Sequence, residues 1–93
     1  MDQKRILVVE DEVIIAMEIT DRLESMGYNV IKTVPNGKMA IDAAINEKPD
    51  LILMDIMLQG ELDGIETATK ILESSDLPVI YLTANADEST LER

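Results

Sequence analysis

Glu10, Asp11 and Asp55 are the residues whose types and positions point most directly to chemistry. Glu10 and Asp11 follow the apolar run Ile6-Leu7-Val8-Val9, and Asp55 follows a second run, Leu51-Ile52-Leu53-Met54. A single carboxylate ending a buried strand is ordinary. Three at one rim repel, because two unit charges about 4 Å apart cost about 4 kcal/mol at an effective dielectric near 20. A bound cation, a proton or a covalent modification relieves such a cluster. An all-oxygen donor set suits a hard ion, Mg²⁺ or Mn²⁺, with water filling the remaining positions. An Asp carboxylate can itself accept a phosphoryl group as an acyl phosphate. For the Glu10-Asp11 pair alone, an acidic helix N-terminus is the rival explanation. Asp55 tips the balance to a metal and phosphoryl site.

Composition narrows the chemistry further. The 93 residues carry a formal net charge of −11 and no cysteine or histidine. That removes a disulfide framework, thiolate ligands, thiol nucleophiles and the commonest general base. The acidic surface repels nucleic acid and anionic membranes and favours cations and basic partner patches. No segment reaches the roughly 18 consecutive apolar residues of a membrane span. A polar start, Met1 to Arg5, leads straight into a strand, so no signal peptide is expected and the cytoplasm is the expected location. With Tyr28 and Tyr81 as the only aromatics, the core must be aliphatic.

Strand and helix patterns alternate through the chain. Strands are expected at about Arg5 to Glu10, Asn29 to Val34, Leu51 to Asp55 and Val79 to Thr83. The first helix is expected from about Val13 to Met26, with Ile15, Ile19, Leu23 and Met26 inward and Gly27 as its stop. Asn36 caps a second, Gly37 to about Glu47, with Ala40, Ile41, Ala44 and Ile45 inward. Asp63-Gly64 opens a third, to about Ser74, with Ile65, Ala68, Ile71 and Leu72 inward. Asp87 to Arg93 reads as the first turns of another helix. Helix-length connections imply a parallel sheet, and the unbroken apolar runs imply strands covered on both faces. The polar second strand, with Lys32 and Thr33, belongs at an edge, giving the order 2-1-3-4 in a doubly wound α/β fold. Ligands of such sheets bind at the switch point, beyond the carboxyl ends of strands one and three. Glu10, Asp11 and Asp55 fall there. Thr83 ends the fourth strand on the same rim, where its hydroxyl serves a bound anion or simply caps the strand, and Ala84 keeps the entrance unobstructed.

Four segments carry a resemblance along essentially the whole chain: Ile6-Leu7-Val8-Val9-Glu10-Asp11-Glu12, Asp50-Leu51-Ile52-Leu53-Met54-Asp55-Ile56, Asp63-Gly64-Ile65-Glu66 and Pro78-Val79-Ile80-Tyr81-Leu82-Thr83-Ala84. In order and spacing the chain resembles the receiver (phosphoacceptor) domain of two-component response regulators. The resemblance implies a flavodoxin-like open parallel sheet and a phosphorelay role. Asp55 would be the phosphorylated aspartate, Asp11 a direct Mg²⁺ ligand, Glu10 a ligand acting mainly through water, and Met57 the donor of a backbone carbonyl. Thr83 would be the switch hydroxyl and Ala84 would leave access for the phosphoryl group. The donor would be a phosphohistidine on a sensor histidine kinase or phosphotransfer protein.

Two departures stand out. The loop from Ile56 to Gly64 is one residue longer than the usual family pattern and lacks its Met-Pro. The family's fifth strand and fifth helix, and the lysine that strand carries, have no counterpart before Arg93; the last lysine is Lys70. The expectation is a single receiver domain over residues 1–93, incomplete at its C-terminus, with impaired phosphorylation and with self-association through the edge of the fourth strand. Two rivals remain. One is a degenerate receiver serving only as a protein-pairing module, and the other is a small Mg²⁺-dependent aspartyl phosphohydrolase, which would want a second acid where Met57 stands.

Overall fold

The computed structural model describes residues 3–56, 58 and 62–82. Seven elements alternate: β1 (Arg5–Val9), α1 (Val13–Ser25), β2 (Asn29–Val34), α2 (Gly37–Glu47), β3 (Leu51–Asp55), α3 (Gly64–Ser74) and β4 (Val79–Leu82). The strands form one parallel sheet in the order β2-β1-β3-β4. Alternating strands and crossover helices yield this arrangement because each apolar strand must be covered on two faces.

Local signals set the helix ends. Asn36 caps α2 by accepting the Met39 N–H on Oδ1 at 2.9 Å. Asp63 and Glu66 form a reciprocal capping box at the start of α3: Asp63 Oδ1 accepts the Glu66 N–H at 2.8 Å, and Glu66 Oε1 accepts the Asp63 N–H at 3.1 Å. After α1 the chain turns at Gly27, whose φ of +97° few side chains tolerate.

Two aliphatic layers sandwich the sheet. Leu7, Val9, Ile52 and Met54 meet Ala40, Ala43 and Ala44 of α2 and Ile71 of α3 on one face. Ile6, Val8 and Leu53 meet Ile19 and Leu23 of α1 on the other. The first helix therefore lies opposite the second and third, as right-handed crossovers in this order require.

Several positions differ from the sequence expectation. Met26, Ile45, Ile65 and Leu72 are exposed rather than inward. Alanines and a threonine occupy the centres of the packed stripes (Ala16, Ala40, Ala43, Ala44, Thr67, Ala68), and these small residues let the helices sit close to the sheet. Ile45 and Leu72 follow buried positions in sequence and so lie about 100° round the helix. Strand β1 ends at Val9, so Glu10 sits just past it. The expected helix from Asp87 lies outside the described residues.

Strand β2 contains an irregularity that its sequence conceals. Ile6 pairs with Val30 but Leu7 with Lys32, leaving Ile31 as an extra residue. This bulge reverses the faces partway along the strand. Val30 packs on the α1 side, whereas Val34 is buried on the α2 side, and Lys32 lies 3.7 Å from Glu47 of α2. No helix among the described residues is long and apolar enough to cross a membrane.

Candidate functional site

Parallel pairing of β1 with β3 places Val9 beside Met54. The next residues along the two strands, Glu10 and Asp55, are therefore neighbours at the carboxyl end of the sheet. The Glu10 N–H donates to the Val34 carbonyl at 2.9 Å, so the backbone stays anchored to β2 one residue past β1. Asp11 follows in the turn into α1. Carboxylate oxygens of Glu10, Asp11 and Asp55, one from each, all lie within 4.8 Å of one another. The structure brings these three acids together at one rim.

Burial makes the cluster costly. Glu10 and Asp55 are each only 3% exposed, while Asp11 is half-buried. Glu10 Oε2 accepts the Glu12 N–H at 3.1 Å, but Oε1 is buried with no hydrogen-bond partner. Burial pushes the Glu10 carboxyl up from 4.5 to about 7, and the neighbouring Asp11 and Asp55 push the same way against the Glu12 N–H. A buried acceptor left unsatisfied calls for a proton, an ordered water or a cation. Three converging carboxylates, one of them carrying an unsatisfied buried oxygen, are the donor chemistry that a small hard cation takes. The residues thus fit a divalent metal ion. Met57, Thr83 and Ala84, the other expected site residues, lie outside the described residues.

Two features at the rim escaped the sequence reading. Val13, Ile14 and Met17 of α1, immediately after Asp11, are 72%, 73% and 61% exposed and form an apolar strip at the mouth of the site. Their signal was present: the run Val13-Ile14-Ile15-Ala16-Met17 has more apolar residues than one buried helix face can use. Beside them a cavity of about 530 Å³ opens between α1 and β2, reaching from Glu10 and Asp11 to Thr20 and Thr33. The second feature is Gly64, which the sequence marked only as a helix start. Its N–H donates to the Ile56 carbonyl at 3.1 Å, and its Cα faces the backbone of Asp55 with no room for a side chain.

Residues 6–93 match the family profile described as the response regulator receiver domain. The chain belongs to that family. Among curated relatives, the transcriptional regulatory protein PdtaR of Mycobacterium tuberculosis is 33% identical over 90 residues, covering 97% of this chain and 43% of that protein. The alkaline phosphatase synthesis transcriptional regulatory protein PhoP of Bacillus subtilis is 43% identical over 86 residues, covering 91% and 35%. Among solved structures, the signal receiver domain of a modulated diguanylate cyclase from Desulfovibrio desulfuricans G20 superposes with a TM-score of 0.84 at 40% identity, covering 98% of this chain and 72% of that one. The receiver chain thus spans less than half the length of those two regulators. The sheet order and the opposed helix faces are those of the flavodoxin-like receiver fold.

Proposed function

We propose that this receiver accepts a phosphoryl group on Asp55 from a phosphohistidine of a sensor kinase or phosphotransfer protein. The carrying observation is the convergence of Glu10, Asp11 and Asp55 oxygens at the ends of two adjacent parallel strands. An Asp55 carboxylate oxygen attacks phosphorus, the P–N bond to the donor imidazole breaks, and the imidazole takes up a proton as it leaves. The product is an acyl phosphate. Bound Mg²⁺ would neutralise charge on the transferring group. Asp11 and Asp55 would hold it directly and Glu10 through water, and by the family resemblance the backbone carbonyl of Met57 would complete the protein ligands. By the same resemblance, the Thr83 hydroxyl would serve the phosphoryl oxygens and Ala84 would leave access for the group.

The partner docks on the strip formed by Val13, Ile14 and Met17. Exposed apolar side chains grouped beside a buried reactive carboxylate suit a protein surface that carries the donor histidine to the rim. This chain has no histidine of its own to supply one. A phosphohydrolase reading lacks the second acid at Met57, and a pairing module without phosphorylation leaves three mutually repelling acids with no task.

Titration with Mg²⁺ followed by backbone-amide NMR tests the site. The account expects shifts clustered at residues 10–12 and 55–58, at millimolar metal, lost in Asp11→Asn. A chain with no such cluster would remove the metal from the scheme.

A further inference from the structure

We propose that Gly64 is a positioning residue for Asp55. The first turn of α3 lies so close to the end of β3 that only a residue without a side chain leaves the phosphoacceptor in place. The inference rests on the reading of Asp55 as part of a metal and phosphoryl site, and adds a residue that touches neither.

The geometry is specific to this glycine. A Cβ built at position 64 overlaps the carbonyl oxygen of Asp55 and comes within 2.8 Å of the Ile56 Cα and 2.9 Å of the Asp55 carbonyl carbon. These are backbone atoms of the strand end itself, and they cannot rotate aside. Gly37 offers the contrast. There an added Cβ meets the side chain of Thr67 and lies 3.0 Å from the Leu62 Cβ, so the obstacles are side chains and not the backbone at Asp55. The dihedral angle φ at Gly64 is not positive, unlike that at Gly27. Conformational freedom therefore does not require glycine at 64; space beside Asp55 does.

The close approach is also fastened. The Gly64 N–H donates to the Ile56 carbonyl at 3.1 Å, joining helix to strand end across the intervening loop. The capping box of Asp63 and Glu66 fixes the preceding residue, and Thr67 Oγ1 donates to the Asp63 carbonyl at 2.7 Å. Thr67 and Gly64 are both buried. A side chain at 64 must then either lift the whole first turn of α3 or push Asp55 along its strand. Either shift moves an Asp55 oxygen relative to Glu10 and Asp11, whose spacing is what a cation reads.

The test compares Mg²⁺ dissociation constants of the parent chain, Gly64→Ala and Ala43→Gly, by amide NMR. Ala43 is buried in the α2 layer of the core, so its variant loses stability without adding an atom beside Asp55. The inference expects Mg²⁺ affinity at least fivefold weaker in Gly64→Ala, with the free-state Asp55 and Ile56 amides displaced. Ala43→Gly should stay within twofold of the parent. Equal affinities of parent and Gly64→Ala, or equal losses in both variants, overturn it. Should Gly64→Ala not fold, Asp63→Ala carries the test, since it frees the same turn without adding an atom. A loss of twofold or more relative to Ala43→Gly supports the inference, and parity overturns it. A parent chain that binds no Mg²⁺ refutes the metal-site reading instead.

Discussion

Replacing Glu10 with glutamine should stabilise the metal-free protein at neutral and alkaline pH while weakening its hold on Mg²⁺. The buried Glu10 carboxyl titrates at about 7 instead of 4.5. Each tenfold change in proton affinity is worth about 1.4 kcal/mol, so ionising Glu10 in the folded state costs about 3 kcal/mol more than in the unfolded chain. Between pH 4.5 and about 7 the folded protein holds a proton that the unfolded chain has released. Stability therefore falls as pH rises through that window and levels off above about 7. Glu10→Gln has nothing to ionise and loses this slope, and its amide oxygen can still accept the Glu12 N–H. The two proteins should be nearly equal in stability near pH 4.5 and differ by up to about 3 kcal/mol at pH 8. Urea unfolding followed by far-UV circular dichroism suits a chain without tryptophan. With a slope of about 1 kcal/mol per molar urea, the midpoints should separate by ~2–3 M at pH 8. Subsaturating Mg²⁺ should narrow that gap by stabilising the parent more than the weaker-binding variant. Parallel pH profiles, or a Glu10→Gln protein no more stable at pH 8, would refute the argument that burial and like charges strain this carboxylate.

Other outcomes follow from single elements. Asp63→Ala removes one half of the α3 capping box and should cost about 1 kcal/mol in chemical denaturation, with the sheet unchanged by circular dichroism. Ile14→Asp, at an exposed site, should leave labelling by a small phosphodonor within twofold of the parent while slowing transfer from a phosphorylated histidine protein at least tenfold; equal slowing in both assays would place Ile14 in the chemistry instead of the docking surface. Ile80 and Tyr81 of β4 are exposed, and an apolar strand open to solvent invites pairing. Light scattering over a concentration series should show self-association of the 93-residue chain, and a clean monomer throughout would contradict it.

How far the sequence could be read depends on what each signal encodes. Unbroken apolar runs such as Leu51 to Met54 declare a strand buried on two faces, and the strand-helix alternation leaves few topologies, so the sheet order was legible. The acids were legible because the fold rule names one rim and Glu10, Asp11 and Asp55 follow the two apolar strands that end there. Helix orientation was less so. In Ala43-Ala44-Ile45 hydrophobicity points to Ile45, but close packing selects the alanines. The bulge at Ile31 was hidden because an extra residue in a mixed strand leaves no compositional mark. Gly64 looked like a helix-start residue, since its crowding by Asp55 is a tertiary contact that no local pattern records.

Mapping the residue phosphorylated by acetyl phosphate in the presence of Mg²⁺ tests the central claim most directly. Borohydride trapping of the acyl phosphate followed by peptide mass spectrometry should place the modification on Asp55 alone. It should vanish when the metal is chelated and in Asp55→Asn. Modification at another carboxylate, or labelling of Asp55 that proceeds equally well without metal, would contradict the account of three carboxylates acting as one phosphoryl-accepting metal site.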